Sequence, residues 1–142
     1  MTHPEDQAPE AAQPEEVSPY GATAVALAPL LAWLIPGAGH FLLGKRARAV
    51  AFCSIVVVSA VVGCYLSGRL DTIQDNDPLS IIATLASFGS GAIYMSLRWL
   101  ASYEGNVVAA GFEYGTTFIR TAGILNLLLV LDAMDIARGR KS

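Results

Sequence analysis

The chain has 142 residues, of which 54% are apolar and only 15% charged. Soluble domains carry about 25% charged residues, so a single domain that partitions into lipid is expected. The net charge of −3 comes without the dense basic face of a nucleic-acid binder, and that class is excluded.

Residues 1–20 (MTHPEDQAPEAAQPEEVSPY) hold Glu5, Asp6, Glu10, Glu15 and Glu16, no Lys or Arg, and a proline at every fifth position from Pro4 to Pro19. Such a segment buries too little apolar surface to offset its chain entropy, so a disordered acidic tail is expected. It lacks the basic n-region of a signal peptide. Docking to a basic partner is its alternative use.

An uncharged stretch follows from Gly21 to Gly44, long enough to cross a hydrocarbon core of about 30 Å. Pro36 removes a backbone donor and is followed by Gly37 and Gly39, so a kink or break is expected near residues 36–39. This first segment is either a kinked span or a shorter helix with a re-entrant piece. Lys45, Arg46 and Arg48 form a basic linker. A second segment, Ala49–Ser67, is uncharged and β-branched, and its length favours a membrane helix over a strand. A polar turn with three aspartates, residues 68–78, leads to a Ser/Gly-rich third segment at Leu79–Leu97. Arg98 and Trp99 mark an interface. A mixed stretch precedes the fourth segment, Gly115–Met134, and a basic tail at 138–142 closes the chain. The expected organisation is an acidic tail (1–20), a transmembrane helical domain (21–137) and the basic tail. The fold class is an all-α membrane protein, a small bundle of about four transmembrane or re-entrant helices.

Lys and Arg counts place the Lys45–Arg48 linker in the cytoplasm and the aspartate turn outside. An acidic N-terminal tail without Lys or Arg can then cross. Four spans leave Arg138, Arg140 and Lys141 on the outside, against the rule, and a re-entrant segment would change that side.

Small side chains let helices approach closely in lipid. Ser59, Gly63 and Ser67 recur at i, i+4, i+8 in segment two, and Ala83, Ser87 and Gly91 do so in segment three. These faces predict a tight hairpin of segments two and three, with a homo-oligomeric contact as the other use. Cys53 and Cys64 are eleven residues apart, about 16 Å of helix rise, too far to bridge.

Polar residues at membrane depth are the candidate functional positions. Pro36, His40 and Gly44 share one helical face. His40 is expected to satisfy a carbonyl freed by Pro36; a proton-handling or ligand role needs an acid from Glu104, Glu113, Asp132 or Asp135. In segment four, Glu113, Thr117 and Arg120 form a ladder near one interface, Asn126 seeks a hydrogen bond to another helix, and Asp132 marks the far interface. No catalytic, cofactor or metal set is expected.

Two stretches, PGAGHFLLGKRARAVAF (36–52) and YGTTFIRTAGILNLLLVLDAMDIARG (114–139), resemble a family of small bacterial membrane proteins of unknown function. Its pattern is a PGxGHxxxG segment and a late AGxLNxxxVLDAxD helix, matched here by Pro36, Gly37, Gly39, His40 and Gly44, and by Ala122, Gly123, Leu125, Asn126, Val130, Leu131, Asp132, Ala133 and Asp135. The first stretch is also similar to the two-helix transmembrane domain. The resemblance implies a bacterial inner-membrane, multi-pass protein and supplies no activity. The expected function is an accessory, assembly or interaction subunit with a protein partner or a second copy, not an enzyme. The alternative is a homo-oligomeric transporter or channel using the polar residues of the last helix.

Overall fold

The structure is a computed structural model that describes residues 20–73 and 78–141. The acidic tail, apart from Tyr20, and residues 74–77 of the aspartate turn lie outside the described residues. Among the described residues all regular structure is helical: α1 (Ala22–Leu34), α2 (Ala38–Leu42), α3 (Arg46–Tyr65), α4 (Pro78–Phe88), α5 (Ala92–Met95), a π-helical turn (Ser96–Leu100) and α6 (Phe112–Ala137).

Segment one is broken where the sequence predicts. Ile35 is extended, as a residue before proline prefers, and Gly37 takes a left-handed φ of 83°. The chain then folds back. Gly39 lies so close to α1 that an added Cβ would run into the Ala28 carbonyl and the Ala32 side chain. Tyr20, before α1, donates its hydroxyl to the Leu43 carbonyl after α2. The hairpin α1–α2 therefore starts and ends at the same level.

Segment three is broken too, which the hydropathy alone does not suggest. α4 and the helical stretch 92–100 meet at 102°, with Gly91 at a φ of 58°. The start of this second hairpin is tied to the linker after α3 and the segment after it to the last turn of α3. Ser80 donates to the Thr72 carbonyl, and Tyr103 donates to the Cys64 carbonyl.

Among the described residues α3 and α6 are long and apolar enough to cross a membrane, and α4 with the stretch 92–100 would make a third if it were one bent span. At 1.5 Å per residue α3 is about 30 Å long, whereas α1 and α4 reach only about 20 and 17 Å. Of the about four transmembrane or re-entrant helices expected, two to three have the length and apolarity of a span.

α6 is the hub. Its buried positions Gly115, Ile119, Ala122, Asn126, Leu129, Ala133 and Ile136 alternate steps of four and three, a single seam along the helix. α1, α3 and α4 all pack on this helix. The expected hairpin of segments two and three does not form. Gly63 of α3 instead faces Gly115 and Ile119 of α6, and Ala86 of α4 faces Gly123. Gly91 closes on the Trp33 carbonyl of α1. Small residues do mediate close approach, but the partner is the equally small seam of α6.

The two long helices run antiparallel, so the C-terminal tail returns to the start of α3. Lys141 reaches Asp132, which also bonds His40, and Arg48, Arg140 and Lys141 border one cleft. The tail thus lies beside the basic linker, not opposite it. Each hairpin begins and ends at one level of the bundle, so the tail and the linker come to the same end.

Candidate functional site

Three polar residues on α6 each reach a different part of the chain. Asn126 is fully buried and sits between the two broken hairpins. Its amide nitrogen donates to the Trp33 carbonyl and to the Gly89 carbonyl, both at 2.9 Å. These oxygens belong to the last turn of α1 and to the residue after α4, where helical carbonyls have lost their partners. Two shortened helices therefore end on one side chain. Rings of Trp33, Phe88 and Tyr94 continue the junction, with centroids 5.1 and 5.7 Å apart. The expected interhelical bond of Asn126 is present and reaches two helix ends.

Arg120 pairs with Asp71. Its Nε donates to Oδ2 at 2.6 Å and a terminal nitrogen donates to Oδ1 at 2.8 Å. Asp71 is only 4% exposed. Ser87 donates a further bond to its Oδ2, and Tyr94 donates to its backbone carbonyl. Arg69 stands 3.6 Å from Oδ1. Burial opposes ionisation of Asp71, but the bonds and charge of Arg120 outweigh it and hold the carboxyl below its ordinary range. The expected Glu113–Thr117–Arg120 ladder is corrected here. Glu113 is exposed, Thr117 donates to its backbone carbonyl, and the guanidinium turns to the buried carboxylate because a fork-on-fork pair is the stronger contact.

Asp132 pairs with His40, Nε2 to Oδ2 at 2.9 Å. His40 is fully buried, its ring set edge-on to Phe52 at 5.1 Å, and its Nδ1 has no partner among the described residues. Lys141 donates to the other oxygen of Asp132 at 2.8 Å. The expectation of a carbonyl partner for His40 is corrected. Pro36 ends α1 and sends α2 back toward the late turns of α6, and that brings imidazole to carboxylate.

Among the candidate positions, His40 and Asp132 are brought together, whereas Arg120, Asn126 and Asp132 stand in separate surroundings. Pro36 and Gly37 form the first break, Gly39 its close contact, and Gly91 the second break. Gly63 lies at the α3–α6 crossing. Gly44 ends α2 in a left-handed turn with open space around it. Sequence reasoning missed Asp71. Its signal was indirect, since an arginine inside an apolar segment requires a counter-charge, but spacing does not select among the acids outside α6.

The arrangement ties separate parts of the chain to α6. Comparisons with curated proteins and with solved structures return no match. A family model described as a family of unknown function matches residues 27–142, a range that includes both stretches singled out in the sequence. On that match the chain belongs to the family of unknown function DUF6677.

Proposed function

We infer that this chain is a multi-pass protein of a bacterial inner membrane that serves as an accessory or assembly subunit. The membrane reading is supported by the two long apolar helices and by outward-facing side chains such as Leu30, Ile55, Val58, Val61 and Leu128. In this reading α3 and α6 span, and α1–α2 and α4–α5 re-enter from opposite sides. The basic end, with Lys45, Arg46, Arg48, Arg138, Arg140 and Lys141, faces the cytoplasm. Both chain ends then lie inside, and the acidic tail need not cross.

The observation that carries the accessory role is the use made of the α6 polar groups. Arg120, Asn126 and Asp132 each hold another part of the same chain. A rigid scaffold with an apolar outer surface is suited to packing against another membrane protein. The same observation weighs against a transport path along α6, since these groups are already engaged within one chain. Mild-detergent pull-down at native expression is expected to recover a stoichiometric protein partner. A chain recovered alone and monomeric would count against this role. Flux in proteoliposomes that falls with both Asn126→Leu and Asp132→Asn, in folded protein, would favour transport instead.

A further inference from the structure

We propose that the groove between the first hairpin and α3 is a binding site for one acyl chain of an anionic phospholipid, whose phosphate is held by Arg46 and Lys45. The groove is lined by Leu31, Ile35, Phe41, Val50 and Cys53 with the Pro36–Gly37 break, and has a volume of about 510 Å³, within the ~300–1,000 Å³ usual for small-molecule sites. It is shaped by the break itself. α1 stops at Leu34, α2 turns back against Ala49, and a strip of α3 from Ala49 to Ser54 is left uncovered on one side.

Two observations select the occupant. The walls are almost wholly apolar, and Phe41 and Val50 are 60% and 65% exposed, so the groove opens toward whatever surrounds α3. Charge stands at one end only. The Arg46 guanidinium lies over the Phe41 ring, 5.8 Å from its centroid, one turn before Ala49 and Val50. Neither Arg46 nor Lys45 has a carboxylate partner among the described residues. An apolar slot with Arg46 over its Phe41 wall and Lys45 next to Arg46 in the chain complements a molecule with an anionic head and a hydrocarbon tail. From Arg46 to Cys53 the slot runs about 10 Å along α3, enough for the upper part of a chain. Basic side chains between membrane helices at the cytoplasmic face recognise anionic headgroups in this way.

This inference rests on the membrane reading above, and Cys53 supplies the probe. The purified full-length protein is reconstituted in phosphatidylcholine vesicles without or with phosphatidylglycerol of matched chains. Maleimide labelling is read separately at Cys53 and at Cys64, which lies beside Tyr103 at the far end. Phosphatidylglycerol is expected to slow labelling of Cys53 about fivefold for each cation engaged and to leave Cys64 unchanged. Arg46→Gln with Lys45→Gln should remove the difference. Val50→Trp, which fills the slot but keeps both cations, should remove it too. Equal labelling in the two lipids overturns the proposal, as does protection that survives both variants. Protection by soluble glycerol 3-phosphate alone would identify a free phosphate as the ligand, and protection that grows with protein density would identify a second copy. Either result overturns the lipid. Carbonate extraction reads the membrane assignment separately. A chain released with peripheral proteins overturns both readings, whereas one that stays and labels alike in the two lipids overturns the groove alone.

Discussion

The two hairpins have similar outlines and are made by different chemistry. The first, α1–α2, breaks at a proline followed by a left-handed glycine, and is held by packing of Gly39 on Ala28 and Ala32 and by the His40–Asp132 contact. The second, α4–α5, breaks at Gly89–Gly91 with no proline, and is held by hydrogen bonds converging on Asp71. In the first, local backbone chemistry ends the helix and packing follows. In the second, Ser90 and Gly91 take the last α4 carbonyls, while tertiary contacts fix the turn itself, Asn126 on the Gly89 carbonyl and the Trp33 carbonyl against Gly91. A break of the second kind should be the more sensitive to a single substitution.

Gly91→Ala is expected to have the largest effect. Its left-handed backbone and the Trp33 carbonyl beside it add an overpacking cost to a conformational one, about 3 kcal/mol or more together. Thermal unfolding in detergent measures it, and a loss under 1 kcal/mol would erase the distinction between the hairpins. Asp71→Asn comes next, leaving Arg120 without its counter-charge. Complete burial of such a pair would put the loss at about 3–5 kcal/mol, but the guanidinium is 39% exposed, so about 2 kcal/mol is expected after solvent screening. Cys53, beside the first hairpin, should label at an unchanged rate in this variant; a faster rate would mean that the hairpins are coupled.

The same carboxylate sets a pH dependence. Asp71 is held below its unfolded value, so its contribution is present above about pH 4. It fades as pH falls below that through the depressed native value. Unfolding midpoints should therefore drop on the acid side, and Asp71→Asn should flatten that drop. An identical acid profile in the two proteins would remove Asp71 as its cause.

Asn126→Leu touches both hairpins at once. It leaves two helix-end carbonyls unpaired, and polar contacts of this kind within membranes contribute about 0.6–1.7 kcal/mol each. Labelling at Cys53 should rise modestly and the unfolding midpoint should fall; a change confined to one property would mean that one of the two bonds dominates. The smallest effect is expected for Gly44→Ala. It shares the left-handed backbone of Gly91 but has open space around it, so only the conformational cost of about 1 kcal/mol applies. A Gly44→Ala loss equal to that of Gly91→Ala would make the Trp33 carbonyl irrelevant.

Much of this architecture is written in local chemistry. The length of α3 follows from an uncharged apolar run from Ala49 and that of α6 from an apolar run that polar residues punctuate but no proline breaks, and the first break follows from Pro36 and Gly37, because a missing donor and a left-handed residue act wherever they occur. The need of Asn126 for partners on other helices is equally local, since an amide among apolar groups must be bonded. What only the tertiary structure decided is where those needs are met. The second break depends on the Trp33 carbonyl pressing on Gly91. Arg120 has its counter-charge in Asp71, 49 positions away, and His40 meets Asp132 across 92. The small-residue faces of segments two and three likewise announce close packing without naming the partner, and α6 takes both because its own seam is as small. Periodicity and propensity act over a few turns, whereas these pairings depend on how two folded-back hairpins meet one long helix. The placement of the C-terminal tail beside the basic linker follows from that meeting and not from a count of apolar segments.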